Sequence, residues 1–261
     1  LRGAIESILA QSFGDFEFII VDDGSRDATP DIIRSYRDER IRVVQEGHGG
    51  LVRALNRGVE RVRSELVARM DADDVAYPER LSRQVAFLRK RDEVGLLGTA
   101  CRVVNLAGTP LLTRRFPSDD AHIRKFMAVR FQFAHPTMMI RTACFRTCGG
   151  YRDVVPEDYD LFLRMLRNTR AANLPEPLLD FRIHDESYTM RHRAESRAYH
   201  ERTRKLLLRE GGSLTLPADP ALSPAVNRRR RNRIPAEELR WLAVMQVELG
   251  YHYCCRGYPW R

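Results

Sequence analysis

Three acidic side chains, Asp71, Asp73 and Asp74, lie within four positions of the sequence. They directly follow the apolar run 66–70, which predicts a strand, and they precede Pro78, a residue type that commonly opens a helix. Carboxylates gathered at a strand end suit Mg²⁺ or Mn²⁺, because these cations prefer oxygen ligands and complete their shell with phosphate oxygens and water. A solvated polar turn also tolerates the repulsion among three acids. The spacing alone therefore leaves a cation site and an ordinary loop both open.

A second pair of acids, Asp22 and Asp23, ends the apolar run 16–21 and is followed by the turn-forming residues Gly24 and Ser25. A small Gly-Ser turn lets a ligand approach the backbone closely. A carboxylate beside it can accept hydrogen bonds from a nucleobase N–H or a ribose hydroxyl. An ordinary Asx turn has the same residue pattern, so nucleotide binding is one of two interpretations for this segment.

A third pair, Glu157 and Asp158, precedes a stretch with Leu161 and Met165 at helical spacing, so the pair is predicted to open a helix. The helix dipole stabilises acids in the first turn, which is a sufficient reason for their presence. A neighbouring carboxylate also raises a carboxyl pKa, and this would make Asp158 a better general base. The pattern by itself leaves both roles open.

The elements that must position these acids alternate between strand and helix in the first half of the chain. This alternation predicts an α/β fold with a mostly parallel sheet and helices on both faces. Ligands of such sheets bind at the carboxyl ends of the strands, where the acids at 22–23 and 71–74 fall. Apolar runs predict strands at 16–21, 40–45, 66–70, 94–104 and 178–184, and amphipathic stretches predict helices at 4–11, 51–63, 191–209 and 235–249, with further helices opening near Pro30, Pro78 and Glu157.

Separated motifs of this chain resemble, in their order and spacing, the inverting glycosyltransferases of family 2, which have the GT-A fold. The resemblance covers residues 1 to about 190. The set is far more specific than any one motif, since Asp-x-Asp alone is a weak signal. The matching segments are 4–13, 18–25, 49–51, 54–58, 68–74, 78–81, 135–137, 149–151, 157–161 and 181–184.

The resemblance implies a donor site and a metal site. Asp22 or Asp23 resembles the carboxylate that holds the uracil of a UDP-sugar, and Asp71 resembles the acid close to the ribose and the metal. Asp73 resembles the donor-site acid that ligates the metal, and His184 resembles the late histidine near the metal and the diphosphate. The implied cofactor is Mn²⁺ or Mg²⁺, which would neutralise charge on the leaving diphosphate.

The resemblance also implies a reaction. Asp158 resembles the general base and would remove the proton from the acceptor hydroxyl. The expected function is transfer of a sugar, with inversion, from a nucleotide-sugar donor (a UDP-sugar) to a glycan, lipid-linked or other acceptor in cell-surface polysaccharide or glycan synthesis. His135-Pro136 is expected to shape the acceptor side or to pack in the core. Arg69 is expected to face a phosphate or to pair with Glu65.

The start of the chain departs from the family pattern. The family's domain normally begins with a central strand reading roughly Val-Ile-Ile-Pro-x-Tyr-Asn, whereas this chain begins inside the helix that follows that strand. We therefore expect an N-terminally truncated chain, with a GT-A domain at 1–190 that lacks its first strand and a basic helical extension at 191–261. A sheet without a central strand would leave backbone groups unpaired and would weaken donor binding.

The net charge of +9 is concentrated in the C-terminal part. Residues 191–261 hold 15 Lys and Arg against 7 Asp and Glu, whereas residues 1–190 hold 29 against 28. A basic segment that includes the run 228–233 suggests contact with an anionic surface. A non-catalytic protein that binds nucleic acid or lipid through this tail is thus the alternative, and a nucleotidyltransferase is a further one. No specific nucleic-acid partner is expected, because the tail lacks interleaved aromatics.

The remaining composition predicts a cytoplasmic globular protein that can contact the inner face of the membrane peripherally through its basic tail. Hydrophobic residues make up 43% of the chain and charged residues 30%. No apolar run approaches the roughly 20 residues that span a bilayer. The five cysteines show no zinc-site spacing, so reduced thiols are expected.

Overall fold

The computed structural model describes residues 1–127, 130–184, 191–209 and 242–248. Its elements follow the predicted alternation of strand and helix. In chain order they are α1 (Arg2–Leu9), β1 (Phe16–Asp22), α2 (Thr29–Arg34), β2 (Ile41–Gln45), α3 (Leu51–Arg61), β3 (Leu66–Asp71), β4 (Val75–Ala76), α4 (Arg80–Leu88), β5 (Val94–Val104), β6 (Pro110–Arg114), α5 (Asp120–Met127), a 3-10 helix (His135–Thr137), β7 (Met139–Arg141), α6 (Thr142–Thr147), α7 (Glu157–Met165), β8 (Arg170–Arg182), α8 (Arg193–Arg209) and β9 (Leu242–Glu248).

The strands of the described residues form one sheet in the order β2-β1-β9-β3-β7-β5-β8-β4, with β6 paired to β5. Strands β2, β1, β9 and β3 run parallel, and so do β5 and β8. Strand β7 lies antiparallel between β3 and β5, and β4 and β6 also pair antiparallel. The sheet is therefore mixed. The expected parallel arrangement holds around β1 and β3, whose ends carry the acids at 22–23 and 71–74.

Helices cover both faces of the sheet, as the α/β pattern predicts. Side chains of β1 alternate between two apolar clusters, with Ile19 and Val21 in one and Phe18 and Ile20 in the other. The first cluster includes residues of α3, α5 and α7, and the second includes residues of α1, α2 and α4. All of β1 is buried, which explains why its sequence is a continuous apolar run rather than an alternating one.

The central position of the sheet is filled from the C-terminal part of the chain. The segment Leu242–Glu248 forms β9, where the sequence predicts part of a helix at 235–249. It lies parallel between β1 and β3, with Glu248 opposite Asp22. The helix prediction is wrong at these residues. A slot between two strands offers backbone hydrogen bonds on both sides, and this pairing overrides local helix propensity.

Helix α8, predicted at 191–209, packs against the body of the protein. Tyr199 donates its hydroxyl to Oδ1 of Asp160 on α7 at 3.1 Å, and the His200 ring lies 4.2 Å from the ring of Tyr159. The basic run at 228–233 lies outside the described residues. Within the described part of the chain, no helix combines the length and the apolar character needed to cross a bilayer.

Candidate active site

Strand β3 leads into an acidic turn, Asp71–Asp74, whose first acid is held by a buried arginine. Both terminal nitrogens of Arg69 donate to the Asp71 carboxylate, with Nη1 2.6 Å from Oδ2. The Arg69 side chain is 5% exposed and that of Asp71 is 31% exposed, so the pair reaches solvent on the Asp71 side. Arg80, which is fully buried, donates Nη2 to the Arg69 carbonyl at 2.7 Å. Arg69 thus pairs with Asp71 through two charge-assisted bonds, rather than with Glu65.

The structure brings Asp73 and His184 into contact, although they lie 111 residues apart; Oδ2 and Nε2 are separated by 3.2 Å. Arg182, at the end of β8, holds this geometry. Its backbone N–H donates to Asp74 Oδ1, and its Nε donates to the Asp73 carbonyl, both at 2.8 Å. A carboxylate oxygen and an imidazole nitrogen this close are a pair that one cation could share. Across the described residues, no group of three His, Cys, Asp or Glu side chains is placed to hold a metal.

Asp74, the last acid of the turn, faces the protein interior. Its side chain is buried, and its Oδ2 meets no hydrogen-bond donor among the described residues. Burial raises the pKa of Asp74 well above its usual range. Asp74 therefore joins the turn to β8 from the buried side, while the side chains of Asp71 and Asp73 are partly exposed to solvent.

The acids at the end of β1 bind neighbouring backbone amides. Asp22 Oδ1 accepts the Ser25 N–H at 2.9 Å. Asp23, which is fully buried, accepts the Gly49 N–H on Oδ1 at 2.9 Å and the Gly50 N–H on Oδ2 at 2.8 Å. Its carboxylate thus fixes the glycine loop that leads into α3 against the end of β1.

Helix α7 begins with the acid pair Glu157 and Asp158. Their side chains are 6% and 16% exposed, respectively. Burial, reinforced by the neighbouring Asp158, raises the pKa of Glu157 to about 8. Burial also raises the pKa of Asp158 to about 6, against the opposing effect of the Tyr159 N–H, which lies 2.7 Å from Oδ1. At neutral pH Glu157 therefore keeps its proton, whereas Asp158 is ionised and can accept one.

Arg69 connects the acid pair with the acidic turn. Its guanidinium lowers the pKa of both Glu157 and Asp158, whereas the Asp71 carboxylate raises the pKa of both. Electrostatic effects of this kind weaken with distance. The end of β3 and the start of α7 therefore lie close enough for their charges to interact.

The family of this chain follows from its first 148 residues. Residues 1–148 match the model described as Glycosyl transferase family 2. The chain belongs to glycosyltransferase family 2. The O-antigen biosynthesis glycosyltransferase WbnJ of Escherichia coli is 35% identical to it over 196 residues, which cover 70% of this chain and 74% of WbnJ.

Solved structures share the fold of this family 2 glycosyltransferase. S. aureus TarS 1–349 in complex with UDP superposes with a TM-score of 0.58 at 19% identity, covering 78% of this chain and 61% of that one. The mannosyltransferase PcManGT from Pyrobaculum calidifontis, in complex with GDP-Man and Mn²⁺, gives a TM-score of 0.57 at 20% identity, covering 80% and 60%. This chain thus spans about three-fifths of each solved chain. The expected GT-A fold is confirmed.

Sequence reasoning about this family 2 glycosyltransferase missed residues that position the site. Arg182 and Asn56 both lie inside matched motifs, but nothing in a linear motif shows which residue each one contacts. His135, left open between the acceptor side and the core, is buried with Nδ1 3.9 Å from Glu157 Oε1. The roles assigned to the individual acids and to His184 stay predictions.

Proposed function

We propose that this chain is an inverting, metal-dependent glycosyltransferase that moves a sugar from a nucleotide-sugar donor to an acceptor hydroxyl. The observation that carries the proposal is the state of Asp158, a partly exposed acid with a pKa of about 6. A base of this pKa is ionised at neutral pH and accepts a proton readily in the transition state. The Arg69–Asp71 pair of the acidic turn, where a diphosphate would bind, affects the pKa of Asp158.

In the proposed reaction the acceptor oxygen bonds to the anomeric carbon while the bond from that carbon to the diphosphate breaks. The acceptor proton passes to a carboxylate oxygen of Asp158, and the electron pair of the broken bond leaves with the nucleotide diphosphate. Attack opposite the leaving group inverts the anomeric centre. Because Glu157 keeps its proton at neutral pH, the acid pair carries one negative charge, located on Asp158.

Asp73 and His184 offer two ligand atoms that fit Mn²⁺ or Mg²⁺. The Asp73 oxygen and the His184 nitrogen lie 3.2 Å apart on separate segments, and cations of this kind take few protein ligands when a diphosphate completes the shell. The nitrogen ligand favours Mn²⁺, since Mg²⁺ takes oxygen ligands. When bound, the cation would neutralise charge on the leaving diphosphate.

We place the nucleotide along the edge formed by the ends of β1 and β3. Asp22 would accept a hydrogen bond from the base or the ribose, and Asp71, held by Arg69, would lie near the ribose. Asp23 would act through the glycine loop that it fixes. TarS is solved with UDP and PcManGT with GDP-Man and Mn²⁺, so both nucleotides need testing; we expect a UDP-sugar.

The name of one relative supports an acceptor class. WbnJ is named for O-antigen biosynthesis, which supports a hydroxyl of a growing surface polysaccharide as the acceptor. The alternative of a non-catalytic anion-binding protein depends on the run at 228–233, which lies outside the described residues.

A panel of UDP- and GDP-sugars tests the proposal. The full chain is incubated with each donor and Mn²⁺, with and without saccharide acceptors, and nucleotide release is measured. We expect release from one donor to require the metal, to stop with a chelator, and to give a product of inverted anomeric configuration by NMR. Absence of release from every donor, together with salt-dependent retention on heparin, would contradict the enzyme and support anion binding.

A further inference from the structure

His135 lies beside the acid pair but has no role in the reaction described above. Its side chain is 8% exposed, with Nδ1 3.9 Å from Glu157 Oε1 and 4.0 Å from Asp158 Oδ2. On the other side of the ring, Nε2 lies 2.8 Å from the hydroxyl of Tyr151. The imidazole therefore stands between a buried phenol and the carboxylates of α7.

Tyr151 is placed rigidly by Asn56 on α3. The Asn56 amide donates to the Tyr151 carbonyl and accepts the Tyr151 N–H, both at 2.9 Å. Gly150, just before it, has a φ of 73°, and a Cβ there would meet Asn56 Oδ1 at 2.7 Å. Only glycine fits such a left-handed, crowded position without strain. The motifs at 54–58 and 149–151 thus together position the Tyr151 hydroxyl within hydrogen-bond distance of His135.

The backbone of His135 is fixed equally well. It opens the 3-10 helix, whose last residue, Thr137, donates its hydroxyl to the Ala134 carbonyl at 2.7 Å. Thr137 also accepts the Thr99 N–H at 3.2 Å, and its carbonyl accepts Gln84 Nε2 at 2.8 Å. Because separate sets of hydrogen bonds fix the backbones of His135 and Tyr151, the fold itself determines the contact between the two side chains.

The protonation states of His135 and Tyr151 decide which ring nitrogen of His135 can donate a hydrogen bond. Burial raises the pKa of Tyr151, so its hydroxyl keeps its proton. Burial, and then the charge of Arg69, lower the pKa of His135 well below its usual range, so the ring is neutral. A neutral imidazole carries one N–H. If the phenol donates to Nε2, the imidazole proton resides on Nδ1 and faces the acids.

We propose that His135 is a positioning residue: Tyr151 holds it as the Nδ1–H tautomer, and that N–H orients the carboxyl groups of Glu157 and Asp158 toward the acceptor hydroxyl. The inference rests on the proposed function for its effect on transfer. The distances of 3.9 and 4.0 Å from His135 Nδ1 to the two carboxyl oxygens are too long for hydrogen bonds. A small rotation of the acid side chains would close them, and such long distances are common for catalytic groups before substrate binds. The other charged groups that act on the acid pair are Arg69 and Asp71.

The tautomer is measured without any transfer assay. The full chain is labelled with ¹⁵N-histidine, and the His135 signals are assigned by their loss in His135→Asn. We expect two-bond ¹⁵N couplings that place the proton on Nδ1 throughout the neutral range. A proton on Nε2 would overturn the proposal, whether or not the chain transfers sugar.

Two replacements of His135 separate positioning from packing. Asparagine puts its N–H₂ where Nδ1 stood, and glutamine puts its N–H₂ where Nε2 stood. We expect His135→Gln to raise the pKa of Asp158, read from its ¹³C-carboxyl titration, by about half a unit or more, because the Nδ1–H dipole that favours the ionised form is lost. His135→Asn should leave that pKa close to the wild-type value. Equal shifts in the two variants would overturn the proposal.

Tyr151→Phe tests the same claim with the imidazole in place. It should raise the Asp158 pKa in the same direction and lower kcat more than it raises KM, because the tautomer is no longer enforced. Tyr159→Phe is the matched control, since it loses a buried hydroxyl bond of 2.7 Å to the Met127 carbonyl and leaves the bond between Tyr151 and His135 in place. A Tyr151→Phe titration identical to that of Tyr159→Phe would contradict the role of His135. A chain with the Nδ1–H tautomer and the expected shifts, but no transfer from any donor, would refute the proposed function alone.

Discussion

The acidic turn at 71–74 and the acid pair at 157–158 use the same side-chain chemistry but contact different partners. In the turn, Asp71 is bound by the Arg69 guanidinium and Asp73 contacts His184. In the pair, Glu157 is almost fully buried and its nearest ring nitrogen, on His135, belongs to a neutral imidazole. The turn is therefore suited to hold charge against a cation, and the pair is suited to hold and exchange a proton.

Asp74 shows that burial, and not the position of an acid in the chain, determines whether its pKa is raised. It belongs to the acidic turn, yet its burial raises its pKa well above the usual range, as burial does for Glu157. Asp158 combines a raised pKa with partial exposure to solvent. Asp71 has both properties too, but its carboxylate is bound by both terminal nitrogens of Arg69. A buried acid such as Asp74 supports the fold, whereas a partly exposed acid with a raised pKa that no guanidinium binds can serve as a base.

The largest expected effect is on Asp158. Asp158→Asn keeps the shape of the side chain but cannot accept the acceptor proton, so kcat should fall by about 10²- to 10⁴-fold. Donor affinity, measured by calorimetry with UDP or GDP and Mn²⁺, should stay unchanged. Asp153→Asn, an exposed acid nearby, is the control and should retain full activity. A kcat for Asp158→Asn within a few-fold of wild type would show that Asp158 is not the general base.

Substitutions in the acidic turn are expected to have a smaller effect, on metal and donor affinity rather than on kcat. Asp73→Ala removes one of two ligand atoms, so the Mn²⁺ concentration for half-maximal activity should rise by at least about tenfold, and donor affinity should fall with it. His184→Ala should act in the same direction. Asp92→Ala, a surface acid that is 97% exposed, provides the control. Unchanged metal dependence in Asp73→Ala would show that the acidic turn does not bind the metal, and the proposed contrast with the acid pair would fail.

The smallest effect is expected for Glu157→Gln, which resembles the protonated acid present at neutral pH. Activity at pH 7 should stay within about threefold of wild type, since Glu157 carries no charge there. Stability should respond more clearly. The folded chain keeps this proton up to a pH of about 8, whereas the unfolded chain releases it near the ordinary pKa of 4.5, so wild-type stability falls as the pH rises through this window.

Glu157→Gln removes that contribution. From pH 5 to pH 8, the wild-type Tm should therefore drop more than that of the variant, by about 2–4 °C for each kcal/mol involved. Parallel Tm curves for the two proteins over this range would contradict the buried, proton-holding state of Glu157.

The elements that carry the acids could be predicted from the sequence because each has a strong local pattern. Strands β1 and β3 are apolar runs that end in acids, and α7 has acids followed by apolar residues at helical spacing. Strand β6 has no such signal, because all five of its residues are exposed and show no alternation. The motifs likewise indicated which residues matter in the site, but not their partners.

The remaining features depend on contacts between distant parts of the chain. Residues 242–248 pair with β1 and β3, more than 150 positions away, and their local sequence predicts a helix. The contact between Asp73 and His184 depends on Arg182, which bonds to the turn from the end of β8. Raised pKa values at 157 and 158 depend on burial by elements from elsewhere in the chain. None of these can be deduced from local spacing.

The pH dependence of single-turnover transfer, at saturating donor and Mn²⁺, tests most directly whether Asp158 is the proton acceptor. Its pKa of about 6 predicts a rate that is constant above neutral pH and falls by about tenfold per pH unit below pH 6, as the base becomes protonated. The residual rate of Asp158→Asn should show no such inflection. A wild-type rate that does not change between pH 5 and pH 7 would contradict the account.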